Sequence, residues 1–224
     1  MPPPPPPPPP PNIPPSAPPP KPALPPGGNS RLRVTAYDGG LLINGHAPLY
    51  IKGVVWRGPE SGPKPPNGLS HHPLEWYFDF LIEHGFNAIR LPFNHRDVLD
   101  DSFVDMTGAT LADPSWTDIR YVGMIKQFAA KAAAKGLLVL PTAQRLNHEP
   151  VPAEEGGGLW YSADFSEQEV IQSWRTLANV LCANDWNVFG VDLMDEPVRT
   201  RRNEDSSSLL TSLLVSPWLS MPCH

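Results

Sequence analysis

Two adjacent acids, Asp195 and Glu196, end an apolar run from Val188 to Met194, and Pro197 follows them. A carboxyl group at the rim of a dry interior resists ionisation, because burial and a like-charged neighbour both raise its pKa. That is the state a general acid needs near neutrality, so Glu196 is a candidate proton donor. The competing reading is plainer: the two acids open a solvated loop. Three other polar positions interrupt or end apolar runs. Arg90 stands inside "NAIRLPF" (87–93), and Gln144 and Arg145 close "LLVLPTAQR" (137–145). Arg90, by itself, reads as a structural ion-pair partner. For Trp56 and Trp160 the plain reading is ordinary core packing, although Trp160 stands in a polar, Gly-rich setting, "GLWY".

These residues must be held by strands and helices, and the pattern for both is present. Residues 32–52 read as a hairpin region with turn signals at Asp38-Gly39-Gly40 and Asn44-Gly45. Strands are expected at 50–56, 87–93, 137–143 and 187–194. Between them, helices are expected at 72–85, 118–136 and 166–184. Gly85 and Gly136 serve as stops, Asp118 as a cap, and Ser166 with Glu169 as a capping box. Residues 94–117 read as a loop. Alternation of short apolar strands with single helices means parallel strands buried on both faces, in a doubly wound sheet or half of a (β/α)8 barrel. The polar residues gather at the C-terminal strand ends, where barrel enzymes build their sites. No glycine-rich phosphate loop follows the first strand, which weakens a nucleotide-binding reading.

Composition excludes several classes. Net charge is −6, so a nucleic-acid partner is not implied. No apolar run is long enough to span a membrane. Cys182 and Cys223 have no metal or disulfide spacing, and no cofactor or metal is implied. Residues 1–26 hold 18 of the 32 prolines, including the unbroken run Pro2–Pro11. Such a segment is expected to be disordered polyproline II outside any core: a linker, or a ligand for SH3, WW or profilin-like domains. The expected organisation is a Pro-rich linker over 1–30, a globular unit over 31–198 and an atypical tail over 199–224, in which Arg199, Arg201 and Arg202 read as solvated charge.

"NVFGVDLMDEP" (187–197) resembles the fourth-strand motif of glycoside hydrolase family 5, the cellulase-like enzymes. In the same order, "YIKGVVWRGPE" resembles the first strand of that family. "LIEHGFNAIRLPF" is similar to its first helix and second strand, and "LLVLPTAQRLN" followed by "GLWYS" to its third strand and the loop after it. The resemblance covers about residues 31–198 and implies an α/β fold of the (β/α)8 TIM-barrel type, truncated to about its first four βα units. It implies an endo-β-1,4-glucanase that hydrolyses β-glucan with retention. Glu196 would be the acid/base and Arg90 the support of the catalytic carboxylates, with Asp195, Gln144, Trp56 and Trp160 on the substrate. It also implies secretion, although no signal peptide is legible at the N-terminus as written.

Two departures qualify that reading. The family has asparagine where this chain has Asp195, and an ionised carboxylate cannot donate to a sugar hydroxyl as an amide does. Histidine usually stands where this chain has Gln144. A third departure is larger. A retaining enzyme needs a second carboxylate about 5–5.5 Å from the first. The family supplies it from a seventh strand, for which this sequence has no counterpart. The expectations are therefore an inactive half-barrel with its acid/base but without its nucleophile, a remnant with weak carbohydrate binding, or a Pro-rich interaction protein. Exposed strand edges would favour a homodimer.

Overall fold

The structure, a computed structural model, describes residues 32–148, 160–181 and 186–195. The chain enters through an antiparallel meander, β1 (Val34–Tyr37), β2 (Gly40–Ile43) and β3 (Ala47–Pro48). The β1–β2 turn is made by Asp38 and Gly39, both at positive φ (47° and 73°), the handedness that matches strand twist. Leu32, Ile43 and Leu49 from this region pack with Ala88 and Leu138, so the meander plugs the N-terminal end of the parallel sheet.

That sheet is β4 (Gly53–Val55), β5 (Ala88–Asn94) and β6 (Leu138–Arg145), in the order β4-β5-β6 and all parallel. The crossover from β4 to β5 is α1 (Leu74–Glu83); that from β5 to β6 contains α2 (His95–Asp100) and α3 (Tyr121–Ala134). After β6 comes α4 (Glu167–Leu181). Register sorts the side chains into two rows. Val54, Ile89 and Val139 are partners on the face toward the helices, where Phe78, Phe128, Ala129, Trp174 and Leu177 complete the main core. Val55, Arg90 and Leu140 are partners on the opposite face, the concave side of a partial (β/α)8 barrel.

The fourth strand, expected over 187–194, takes a different form. It is two isolated parallel bridges, Val139↔Val188 and Thr142↔Asp192. The bridged positions are three residues apart on β6 and four apart on the incoming segment, so the latter carries one extra residue, a bulge. Pro141 explains the place. Val139 N and Ala143 N donate to Asn187 O (2.9 Å) and Asp192 O (3.0 Å), and the intervening donor is missing because residue 141 is proline.

Other boundaries shift for equally local reasons. The first strand is shorter than 50–56, and Tyr50 and Ile51 are exposed. The stretch 94–117 is not all loop: Asn94 caps α2 by accepting from Asp97 N at 2.8 Å. Asp118 does not cap α3. It sits at φ 57°, and the helix starts three residues later at Tyr121. The Ser166–Glu169 capping box is present, with Ser166 N donating to Glu169 Oε2 at 2.7 Å. No helix among the described residues is long and apolar enough to cross a membrane. Glu196, the Pro-rich segment, the tail and both cysteines lie outside the described residues.

Candidate active site

Arg90 reaches the concave face because its register on β5 places it there, between Val55 and Leu140. Its guanidinium meets two carboxylates from the segment beyond β6. Nη2 donates to Asp192 Oδ2 at 2.8 Å and Nε to the same oxygen at 3.3 Å. Nη2 also donates to Asp195 Oδ1. The other oxygen of Asp195 accepts from Gln144 Nε2, at the end of β6. Asp195 N donates to Ala143 O at 2.9 Å, which fixes the backbone next to Glu196 against the C-terminal end of β6. Three of the polar residues singled out in the sequence are thus brought together: Arg90, Gln144 and Asp195.

Electrostatics follow from the geometry. Burial pulls the pKa of Arg90 down, but its hydrogen bonds to Asp192 and then Asp195 outweigh that and hold it above the ordinary value. One guanidinium faces two carboxylates, so the cluster is acidic overall before Glu196 is counted. Gln144 Oε1 is buried without a hydrogen-bond partner, an acceptor left open beside Asp195. As placed, the cluster can hold a carboxylate at a strand end and keep its oxygens oriented; it presents acceptors rather than donors on the Asp195 side.

Asp192 was not legible as a site residue. It lies in the same apolar run as Phe189 and Leu193, and only the bulge before it aims its carboxylate at Arg90. A second polar group was also missed. Asp97 is 1% exposed and bonds Asn94 Nδ2 and His148 Nε2, the latter at 2.5 Å. Glu60, 3% exposed, closes the loop after β4 by accepting from Gly58 N at 2.7 Å. Tyr121 Oη donates to Pro59 O in that loop at 2.7 Å. Burial, foremost, raises the pKa of Asp97, and its bonds to Asn94 and His148 work against that rise. The sequence signal was Asn94 three residues before Asp97, a capping pattern inside what read as loop.

Both tryptophans, open to a sugar-facing or a core reading, sit against other aromatic rings. Trp56 faces the helix layer, edge-on to Tyr77, Phe78 and Phe128 at centroid distances of 5.0, 5.8 and 5.5 Å. Its Nε1 donates to Asn67 O at 2.8 Å. Trp160 is 5% exposed, belongs to the main core and meets Tyr161 edge-on at 5.0 Å. Trp56 is half-buried just beyond β4, and Trp160 is buried. Among the described residues no group of three or more His, Cys, Asp or Glu side chains is placed to hold a metal ion.

No family profile matches the sequence. A curated endoglucanase from Paenibacillus polymyxa is 25% identical over 148 residues, which are 66% of this chain and 35% of that protein. Among solved structures, the hyperthermophilic endocellulase of Pyrococcus horikoshii matches with a TM-score of 0.65 at 25% identity, over 80% of this chain and 47% of that one. The catalytic domain of the major endoglucanase of Xanthomonas campestris pv. campestris matches with a TM-score of 0.62 at 22% identity, over 78% and 51%. The chain therefore spans from a third to a half of the length of these relatives. The fold these likenesses show is a partial (β/α)8 barrel similar to that of the cellulases.

Proposed function

We propose that this chain supplies the acid/base side of a retaining endo-β-1,4-glucanase site, with Glu196 as proton donor and Arg90, Gln144 and Asp195 orienting the strand end beside it. The observation that carries the reading is convergence: side chains from β5 and β6 meet Asp195, the residue joined directly to Glu196. Relatives point to the substrate class, since the Pyrococcus horikoshii endocellulase has been solved with cellotetraose bound. A polymeric glucan cannot cross a membrane, so such an activity belongs outside the cell.

Turnover with retention needs a second carboxylate at the site that is free to attack, and the described residues do not supply one. Among the described residues, the carboxylates at the site are Asp192 and Asp195, and both are committed to Arg90. Neither is free to attack an anomeric carbon as the second carboxylate of a retaining pair must. The purified chain is expected to leave carboxymethylcellulose intact; robust turnover that Glu196→Gln abolishes would overturn this. In a longer polypeptide that adds a seventh-strand carboxylate, Glu196→Gln should abolish hydrolysis of unactivated glucan. It should spare the first step with activated aryl leaving groups, which need no protonation. Intact glucan hydrolysis by that variant removes Glu196 from the role. The alternative of a remnant that binds sugar through its tryptophans is less supported, because Trp56 and Trp160 are packed.

A further inference from the structure

Helix α1 carries an aromatic ridge that the site does not use. His72, Trp76, Phe80 and His84 stand four residues apart, on one stripe of the helix and its ends. Their rings stack in series: His72 on Trp76 at 3.8 Å and 13°, Trp76 near Phe80 at 5.5 Å and 14°, Phe80 on His84 at 4.1 Å and 29°. The stripe lies away from the core, which α1 meets through Leu74, Phe78 and Leu81; Glu75 and Asp79 turn to Lys131 and Lys135 of the α3 region. Trp76 and Phe80 are each 43% exposed, a large apolar surface to leave in water.

Stacked rings turn their edges outward. A ring edge is electropositive, and the Trp76 Nε1–H has no hydrogen-bond partner among the described residues. The ridge is therefore apolar with the Trp76 indole N–H as a donor, His84 Nδ1 being engaged with Phe80 O at 2.8 Å, and it suits a partner that is apolar and offers acceptors. This chain contains one. The run Pro2–Pro11 has carbonyl oxygens but no backbone N–H, and a polyproline II helix leaves those carbonyls free. Dimensions agree. The ten residues of α1 rise about 15 Å, so with the residues at its two ends the ridge is about 18 Å long. Six prolines at about 3.1 Å each cover it.

The connection agrees as well. The described chain enters at Leu32, buried with Ala88 and Leu138 at the N-terminal end of the sheet. The same end holds the His84 end of the ridge, where Lys52 Nζ donates to His84 O at 2.8 Å. The intervening residues 12–31 can span about 25 Å even as a flexible coil. We propose that the Pro2–Pro11 run docks in cis, as a polyproline II helix, on the His72–Trp76–Phe80–His84 ridge, with Trp76 Nε1 donating to a proline carbonyl. This inference is independent of the glucan reading.

The test is the indole N–H signal of Trp76 in ¹⁵N–¹H NMR spectra of the full chain, assigned with Trp76→Phe. A full-length variant in which Pro2–Pro11 is replaced by glycine and serine of equal number should shift that signal. A deca-proline peptide added to the variant should return it toward the wild-type position. Phe80→Ala should weaken the peptide's binding about tenfold, equivalent to about 1.4 kcal/mol. Identical spectra of the wild type and the glycine–serine variant overturn the proposal. So does a shift that appears only as protein concentration rises, which would assign the ridge to a second copy of the chain.

Discussion

His95 is enclosed by Phe93, Phe165 and Trp174, with Nδ1 2.9 Å from Ser173 Oγ, and burial holds its pKa down at about 3. In the unfolded chain the imidazole titrates near its ordinary value of 6.5. As pH falls, the unfolded state takes up the proton first. The stability this residue contributes is present above pH 6.5 and is lost as pH falls from there toward 3. The slope is at most about 1.4 kcal/mol per pH unit. Urea midpoints of His95→Gln should vary less with pH across that window than those of the wild type. Equal variation would show that His95 is not enclosed. Asp97 has the opposite sign. Its raised pKa favours the fold at acid pH, and that advantage fades as pH rises above its ordinary 3.8. At Arg90, Arg90→Met leaves Asp192 and Asp195 facing each other and should cost about 1–3 kcal/mol of stability in urea unfolding, less than a fully buried pair because the cluster is partly wet. Arg90→Lys should recover only part of it, since an ammonium lacks the fork that serves two carboxylates. A Lys variant as stable as the wild type would show that the shared fork is not what holds the cluster. Arg90, Gln144 and Asp195 were legible because polar residues in apolar strands need partners. Asp192, His95 and Asp97 were not, because a bulge and a short capped helix, neither visible as periodicity, decide where they point.

Helices were more legible than strands, and the reason is chemical. Caps are written in residue types: Ser166 and Glu169 bond each other's backbone reciprocally, with Glu169 N to Ser166 Oγ at 3.4 Å, and α4 begins where that pair predicts. Ser166→Ala should lower stability by about 1 kcal/mol in thermal or urea unfolding; no change would mean the box is formed equally well in the unfolded chain. Asp118 looked like a cap but occupies a left-handed turn, and α3 instead begins where Val122 N donates to Asp101 Oδ1 at 2.9 Å, a bond across twenty-one residues that no local pattern reveals. The fourth strand failed as a regular element because its partner β6 carries Pro141. Its place could be read from the apolar run, but its irregularity is a property of the pair. The meander was readable from Asp38-Gly39 and Asn44-Gly45, since those dipeptides supply the positive φ the turns require.

At the scale of the molecule, the sheet has a concave face and, at β4, an edge with no strand partner besides β5 among the described residues, while β6 is bridged by Val188 and Asp192. Val55 and Val191 are 48% and 49% exposed, and Val55 stands in the same row as Arg90 on the concave side. In a closed barrel that face is interior. Left open, it offers an unpaired strand edge and apolar side chains to water, the arrangement that draws another strand or sheet to it. A two-fold copy of the same chain is the simplest complement, because four strands from each closes a ring of eight. Light scattering on the purified chain should therefore give a mass above that of the monomer, with near-ultraviolet circular dichroism showing fixed aromatic packing. A double variant, Val55→Lys with Val191→Lys, sets like charges on both copies and should shift the mass toward the monomer. A well-packed monomer in the wild type would overturn this and assign the cover to residues of the same chain. Such a dimer would bear on the chemistry too. By symmetry, the partner's β6 would take the place of a seventh strand, bringing Gln144 of the partner subunit opposite Asp195. An amide cannot form a glycosyl ester, so closure by self-association should restore the barrel's packing without restoring hydrolysis.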